Sequence, residues 1–189
     1  DNAGSRGVVL LDTSKKGNEP ENFRELKEQT YRYSRENSRG GIVMVEEYMQ
    51  GPEVSVEIMV IEGEPHVLAI TDKYITPLPY FVELAHCEPS RLGAETQKQI
   101  RETAAQAVRA VGMENAPAHV EIKVTEEGPK IVELAARLGG DFITSRLVPL
   151  STGIDMVGAS VVLATGETPD LTPAKSQGAA IHFIQAREN

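Results

Sequence analysis

His119-Val-Glu-Ile-Lys-Val-Thr-Glu-Glu-Gly-Pro-Lys-Ile-Val-Glu-Leu-Ala-Ala-Arg-Leu-Gly-Gly140 is the stretch whose reading decides the fold. It alternates apolar and polar residues on both sides of Glu126-Glu127-Gly128, so it predicts two strands joined by a three-residue loop, with Gly where a left-handed backbone is wanted. With Thr125 opposite Pro129, the antiparallel register runs inward through Val124/Lys130, Lys123/Ile131 and Ile122/Val132 to Glu121/Glu133. One face then carries Val120, Ile122, Val124, Val132 and Leu134, a core face. The other sets Glu121 directly across from Glu133, with Cβ atoms about 5 Å apart. Two carboxylates that close repel unless a positive charge sits between them, and hard divalent cations such as Mg²⁺ take carboxylate oxygens in this way, together with substrate phosphates. The plainer alternative is a solvated hairpin face on which Lys123 or another basic residue offsets the charge. A two-residue loop would shift the register by one and part the pair.

Composition sets the frame around this hairpin. The chain has 189 residues, 40% hydrophobic and 25% charged, with no tryptophan, enough apolar side chain for one compact domain or the larger part of one. A formal net charge of -9 argues against nucleic acid and anionic membrane surfaces as general partners, while leaving room for a local basic site that takes phosphate. The single Cys87 excludes an internal disulfide and suits a reducing compartment. No apolar run approaches the length of a membrane span. The expected location is cytoplasmic.

In chain order, Asp1 to Gly7 is a small-residue loop whose glycines let backbone N–H groups converge on an anion, with Ser5 and Arg6 as further donors. An ordinary terminus would look the same, and no Walker-type lysine follows. Lys15 to Pro20 is turn-rich. Pro20 to Asn37 reads as a mostly polar surface helix with a narrow stripe of Phe23, Leu26, Thr30 and Tyr33. Ile42 to Tyr48 is apolar enough for a buried strand. Glu53 to Ile61 alternates, with Val54, Val56 and Ile58 on one face and Glu53, Ser55 and Glu57 on the other. Glu62-Gly63-Glu64-Pro65 turns into a strand over Val67 to Ile75, and Phe81 to Cys87 is another. Asp72-Lys73, near the end of the first of these, suits either a pocket lining or a surface ion pair. Gly93 to Val111 is a helix with Ile100, Ala104, Ala107, Val108 and Val111 on one stripe and Gly112 as its stop. His119 falls on the acidic face of the hairpin, where it can pair with a carboxylate. Two shorter helices follow, Ile143 to Leu150 and Ile154 to Ala164, and Gly178 to Gln185 is a last strand.

Strands dominate the middle, with connections too short for parallel crossovers before Gly93. The class is therefore α+β around a largely antiparallel sheet with flanking helices, not a Rossmann domain. A second candidate site lies at Val45-Glu46-Glu47-Tyr48-Met49-Gln50-Gly51-Pro52-Glu53. A sharp break between two extended segments makes a hinge whose backbone can pair with a flat heterocycle. An acidic turn of purely structural purpose has the same composition.

Taken together, the Gly-Ser-Arg-Gly-Val loop, the Glu46-Glu47-Tyr48-Met49-x-Gly51-x-Glu53 hinge and the Glu121 … Glu133-x-Ala-Ala-Arg137-x-x-Gly140 hairpin resemble the ATP-grasp superfamily in order and spacing. The resemblance covers nearly the whole chain, from Asp1 to at least Asp155. It implies two α+β subdomains that hold ATP between them, over residues 1–189. Glu46, Glu47 and Met49 match the adenine hinge and Glu53 the acid that binds ribose hydroxyls. Ser5, Arg6 and Gly7 match the loop over the phosphates. Glu121 and Glu133 match the ligands of Mg²⁺, with Mn²⁺ as an alternative ion. Arg137 matches the arginine that grips phosphate, with Gly139 and Gly140 beside it for the transferred phosphoryl group or substrate carboxylate. His86 matches a histidine that faces the acyl substrate in the L-amino-acid (dipeptide) ligase branch, with Glu83 close to it.

Two departures stand out. Ala135 occupies a position that is asparagine in many members. The Lys-Pro that usually precedes the phosphate loop, the first strands of the ATP-binding subdomain and the N-terminal domain all lie outside this chain, so the expectation is a C-terminal part that is inactive alone. The Glu-x-Ala-Ala-Arg form points to the amino-acid-ligase branch. The implied activity is ATP-dependent joining of a carboxylate to an amine through an acyl phosphate, with small-molecule substrates and a homodimer allowed. The rival readings are a bicarbonate-using enzyme like biotin carboxylase or the carbamoyl-phosphate synthase large chain, and a nucleotide-binding module without chemistry.

Overall fold

The computed structural model describes residues 7–11, 20–76 and 81–184. In chain order the elements are α1 (Pro20–Asn37), β1 (Glu53–Ile61), β2 (Glu64–Ile75), β3 (Glu83–Glu88), α2 (Ala94–Ala110), β4 (Ala116–Thr125), β5 (Gly128–Ala135), a π-helical turn (Ile143–Leu147), α3 (Val148–Thr152), α4 (Met156–Ala164) and β6 (Ala179–His182). The chain divides into two units, one of residues 1–48 and 75–83, the other of residues 49–74 and 84–189.

In the smaller unit α1 has the expected bounds, and Leu26 and Tyr33 are exposed, as a mostly polar surface helix requires. Gly7, at φ +79°, sits so close to this helix that a Cβ there would meet the Asn37 Cβ at 2.9 Å. Tyr48 and Phe81 stack at a tilt, with ring centroids 6.4 Å apart. The expected strand at Ile42 to Tyr48 is not formed: Ile42, Met44 and Val45 are 75%, 74% and 89% exposed. A strand exists through its neighbours' hydrogen bonds, and no described strand lies beside this segment. The turn-rich segment from Lys15 to Glu19 lies outside the described residues.

The sheet runs β5-β4-β1-β2-β3-β6. Alternation in β1 sends Val54, Val56, Ile58 and Val60 against Ile100, Ala104 and Val108 of α2, with Val120, Ile122 and Ile70 beside them. Each such side chain contributes about 1.5–3 kcal/mol on burial. Val111 is not part of the stripe: it is the C-cap, 61% exposed, because the helix stops at Ala110. Gly112, at φ +70°, closes the end by donating to Arg109 O while Met113 donates to Val108 O, a Schellman arrangement. On the other face, Met59 and Ala69 pack with Ile143, Leu147, Val148, Ile154 and Met156. Among the described residues no single helix is long and apolar enough to cross a membrane.

Two bulges set the registers. The β4–β5 turn is not the expected three-residue loop: Thr125 pairs with Gly128, leaving only Glu126 and Glu127 between the strands. That shortening moves Ile122 opposite Ile131, so Ile131 rather than Val132 packs against the core, and Val132 is 41% exposed. Between Ile122 and Glu121 the register then slips by one residue, and Glu121 pairs with Glu133 after all. Val132 is the extra residue of a β-bulge. A matching slip at Leu68 lets Ile61 pair with Glu64 near the turn and Glu53 pair with Lys73 at the far end.

Candidate functional site

Glu53, Ser55 and Glu57 alternate with the α2-facing residues of β1, so they line the opposite face of the sheet. Strand pairing places Lys73 and Lys123 on either side of Glu53, Thr71 and Glu121 on either side of Ser55, and Ala69 and His119 on either side of Glu57. The result is a nearly buried line of alternating basic and acidic groups. Lys123 Nζ donates to Glu53 Oε2 at 2.9 Å, and Lys73 Nζ lies 2.9 Å from both Glu53 Oε1 and Glu121 Oε1. His119 Nε2 reaches Glu121 Oε1 at 3.4 Å, and its Nδ1 reaches Glu57 Oε1 at 2.6 Å. The hairpin face is mixed: Glu121 and Lys123 lie mostly buried beside the fully buried Ser55 and Glu57, Glu133 is exposed, and basic residues do offset both carboxylates, Lys73 at Glu121 and Arg137 at Glu133.

Burial by itself would raise the Glu121 carboxyl, but the His119 hydrogen bond and the Lys73 ammonium outweigh it and hold the group down at about 2. Burial would likewise strip the proton from His119, yet its bonds to Glu121 and Glu57 push it up to about 9. One step further across the sheet, Glu88 is 2% exposed and takes a hydrogen bond from Thr71 Oγ1 at 2.8 Å. Burial raises its carboxyl to about 7, with no cation among the groups that act on it.

Glu133, Glu121's partner on β5, points outward and lies 3.6 Å from Arg137 Nη2, a half-exposed contact. Arg137 also donates from Nη1 to Leu138 O at 3.0 Å. Gly139 rests on the Glu57–His119 pair: a Cβ there would meet Glu57 Oε1 at 2.6 Å, Glu57 Oε2 at 2.8 Å and His119 Nδ1 at 2.8 Å. Its carbonyl accepts from Thr144 Oγ1 at 2.9 Å. Gly140 has open space around it. Asp141 and Phe142 follow in left-handed conformations, at φ 48° and 60°. The Asp141 carboxylate lies 3.8 Å from His86 Nε2. His86 is fully buried on β3, edge-on to the ring of Phe183 at 5.5 Å.

The hinge begins in the exposed Glu46 and Glu47 and passes from one unit to the other at Tyr48–Met49. Its far end is tied to the hairpin: Val124 N donates to Pro52 O at 2.8 Å, and Gly51, at φ +137°, packs so tightly that a Cβ would fall 1.9 Å from Val124 O. Of the phosphate loop only Gly7 is described; Ser5 and Arg6 lie outside the described residues.

The structure thus gathers Glu53, Glu121, Glu133, Arg137 and Gly139 on or beside one surface of the larger unit. His119 pairs with carboxylates, as the sequence suggests. Of the two alternatives for Asp72-Lys73, a pocket lining or a surface ion pair, the structure shows Lys73 in a buried pairing with Glu53 and Glu121, while nothing in the sequence singles out Glu57, Thr71, Glu88 or Asp141. A register count finds Lys73 only with the bulge at Leu68 allowed for, since a regular hairpin places Asp72 beside Glu53.

Residues 1–145 match the ATP-grasp domain family. Carnosine synthase 1 of Mus musculus is 30% identical over 132 residues, which cover 70% of this chain and 16% of that protein. The alanine–anticapsin ligase of Bacillus subtilis (strain 168) is 35% identical over 120 residues, 62% of this chain and 25% of the ligase. Among solved structures, the L-amino acid ligase from Bacillus licheniformis aligns with a TM-score of 0.65 and 28% identity over 74% of this chain and 35% of its own. The chain spans only a minor part of the length of each. With the family match over 145 of 189 residues, the chain belongs to the ATP-grasp family.

Proposed function

We propose that this chain is the catalytic part of an ATP-dependent ligase that joins the carboxylate of one amino acid to the amine of another. The observation that carries the reading is the bulge at Val132, which returns Glu133 to a position opposite Glu121 on the outward face. Bulges that re-aim a side chain in this way concentrate at working sites. The similarity to ligases named for alanine and for L-amino acids supports the substrate class.

Glu121 and Glu133 offer a hard-oxygen set from adjacent strands, one of them held ionised, and that set suits Mg²⁺. The ion would supply charge neutralisation at the β- and γ-phosphates of ATP. Glu53 would accept from the ribose hydroxyls, and the backbone around Glu46, Glu47 and Met49 would pair with the adenine. Ser5, Arg6 and Gly7 would cover the phosphates. In the first step a carboxylate oxygen of the substrate attacks the γ-phosphorus as its bond to the ADP oxygen breaks. In the second, an amine nitrogen attacks the acyl carbon, inorganic phosphate leaves and the amine proton passes to solvent or phosphate. Arg137 orients the transferred phosphoryl group, and the Gly139–Gly140 backbone admits the substrate carboxylate closely. His86, with Asp141 3.8 Å from its Nε2, would donate toward the carbonyl oxygen as it gains charge.

The test is to incubate the intact protein with ATP, Mg²⁺ and pairs of amino acids, following ADP and phosphate release and the dipeptide mass. Product formed in step with ADP is the expected result. ADP release with bicarbonate and no amine acceptor would replace this reading with a carboxylase.

A further inference from the structure

We propose that Lys73 is a resident counter-ion that keeps the metal site closed to free divalent cations and opens it only to a cation arriving with nucleotide phosphates. The proposal rests on the reading of Glu121 and Glu133 as the metal ligands.

Lys73 Nζ is bound to two acids at once, 2.9 Å from Glu53 Oε1 and 2.9 Å from Glu121 Oε1, and its side chain is 4% exposed. The bulge at Leu68 is what puts it there rather than Asp72. Two further acid oxygens on this line are committed, Glu53 Oε2 to Lys123 and Glu57 Oε1 to His119, while Glu57 Oε2 is buried beneath Gly139 without a hydrogen-bond partner among the described residues. A divalent ion reaching Glu121 would come to rest beside an ammonium shielded from water, where like charges repel far more strongly than in bulk solvent. Glu133 alone, with its half-exposed contact to Arg137, gives such an ion little hold. Phosphate oxygens reverse the balance: they bring the negative charge that the site lacks, and a flexible lysine stem can turn its donors from Glu121 to a phosphate. Lys73 is on this view a positioning residue. It also links the acid assigned to ribose with the acid assigned to the metal through one shared ammonium.

Mn²⁺ serves as the probe, with free Mn²⁺ followed by electron paramagnetic resonance on the intact protein with and without a non-hydrolysable ATP analogue. Wild type is expected to bind Mn²⁺ at least tenfold more tightly with the analogue. Lys73→Met is expected to bind Mn²⁺ without nucleotide at least tenfold more tightly than wild type, and Lys73→Arg, which keeps the charge, to stay within twofold of wild type. An unchanged or weaker nucleotide-free affinity in Lys73→Met overturns the proposal. Should that variant not fold, wild type decides alone: nucleotide-free binding within threefold of the nucleotide-bound affinity overturns it. Glu121→Gln and Glu133→Gln test the underlying reading separately, since unaltered analogue-dependent Mn²⁺ binding in both would remove the metal ligands and leave the lysine without a role.

Discussion

Glu121 and Glu133 stand opposite each other across β4 and β5 because Val132 is pushed out of the ladder between them. Glu133 is exposed and packs against nothing in the core, so its removal should touch chemistry rather than folding. Glu133→Ala in the intact protein is expected to lower amino-acid-dependent ADP release at least tenfold, about 1.4 kcal/mol or more in the barrier, with an unchanged unfolding midpoint. Deleting Val132 is the complementary variant. It would make the ladder regular, with Ile131 still opposite Ile122 and Glu133 next in line opposite Glu121, so the paired acids and the activity that depends on them should persist.

The two glycines after Arg137 should behave differently. A methyl at Gly139 meets the buried Glu57–His119 pair at 2.6–2.8 Å, while one at Gly140 meets nothing within 4 Å. Gly139→Ala should cost about 1–3 kcal/mol in urea unfolding, and Gly140→Ala should stay within about 0.5 kcal/mol. Equal effects would mean that the close approach at Gly139 is absent in solution.

Gly51 is constrained by backbone rather than side chain. With φ at +137° and Val124 O only 1.9 Å from where a methyl group would sit, Gly51→Ala has no room to relax without moving β4. A loss of about 3 kcal/mol or more in urea unfolding is expected, together with a raised KM for ATP from the displaced hinge.

Glu88 predicts a pH dependence. Its carboxyl lies at about 7 in the fold against an ordinary 4.5, because burial disfavours the anion. The folded protein therefore holds this proton more tightly than the unfolded chain, and stability falls as pH rises from 4.5 to 7, then stays reduced. Glu88→Gln should remove that loss. The variant is expected to exceed wild type by about 2–3 kcal/mol at pH 8 and to match it near pH 4, measured by urea unfolding at both values. A gain independent of pH would assign the effect to packing.

Much of the fold is legible in the sequence because periodicity reports burial. The polar α1, the alternation of β1 and the Gly112 stop follow from side-chain pattern alone, and the structure places all three as read. Ile42 to Tyr48 misleads for the converse reason: apolar composition marks a segment that can be buried, and pairing needs a neighbour as well. The register count reaches the metal pair by assuming a three-residue loop, and its outcome holds only because a shorter turn and a bulge compensate each other. Strict alternation carries no sign of such a slip, so it assigns Val132 to the core and sets Asp72 rather than Lys73 beside Glu53. The charge line across β2, β1 and β4 brings together residues up to 70 positions apart, from Glu53 to Lys123, and only the folded sheet reveals it.

The same compensation frees the tip of the hairpin. With the two-residue turn and the bulge at Val132 set against each other, an insertion between Glu126 and Glu127 that keeps Thr125 opposite Gly128 leaves Glu133 where it is. The turn becomes a place where the chain can be lengthened, recoded or tagged without disturbing the paired acids, and insertion there is a natural handle for attaching a reporter to the working face.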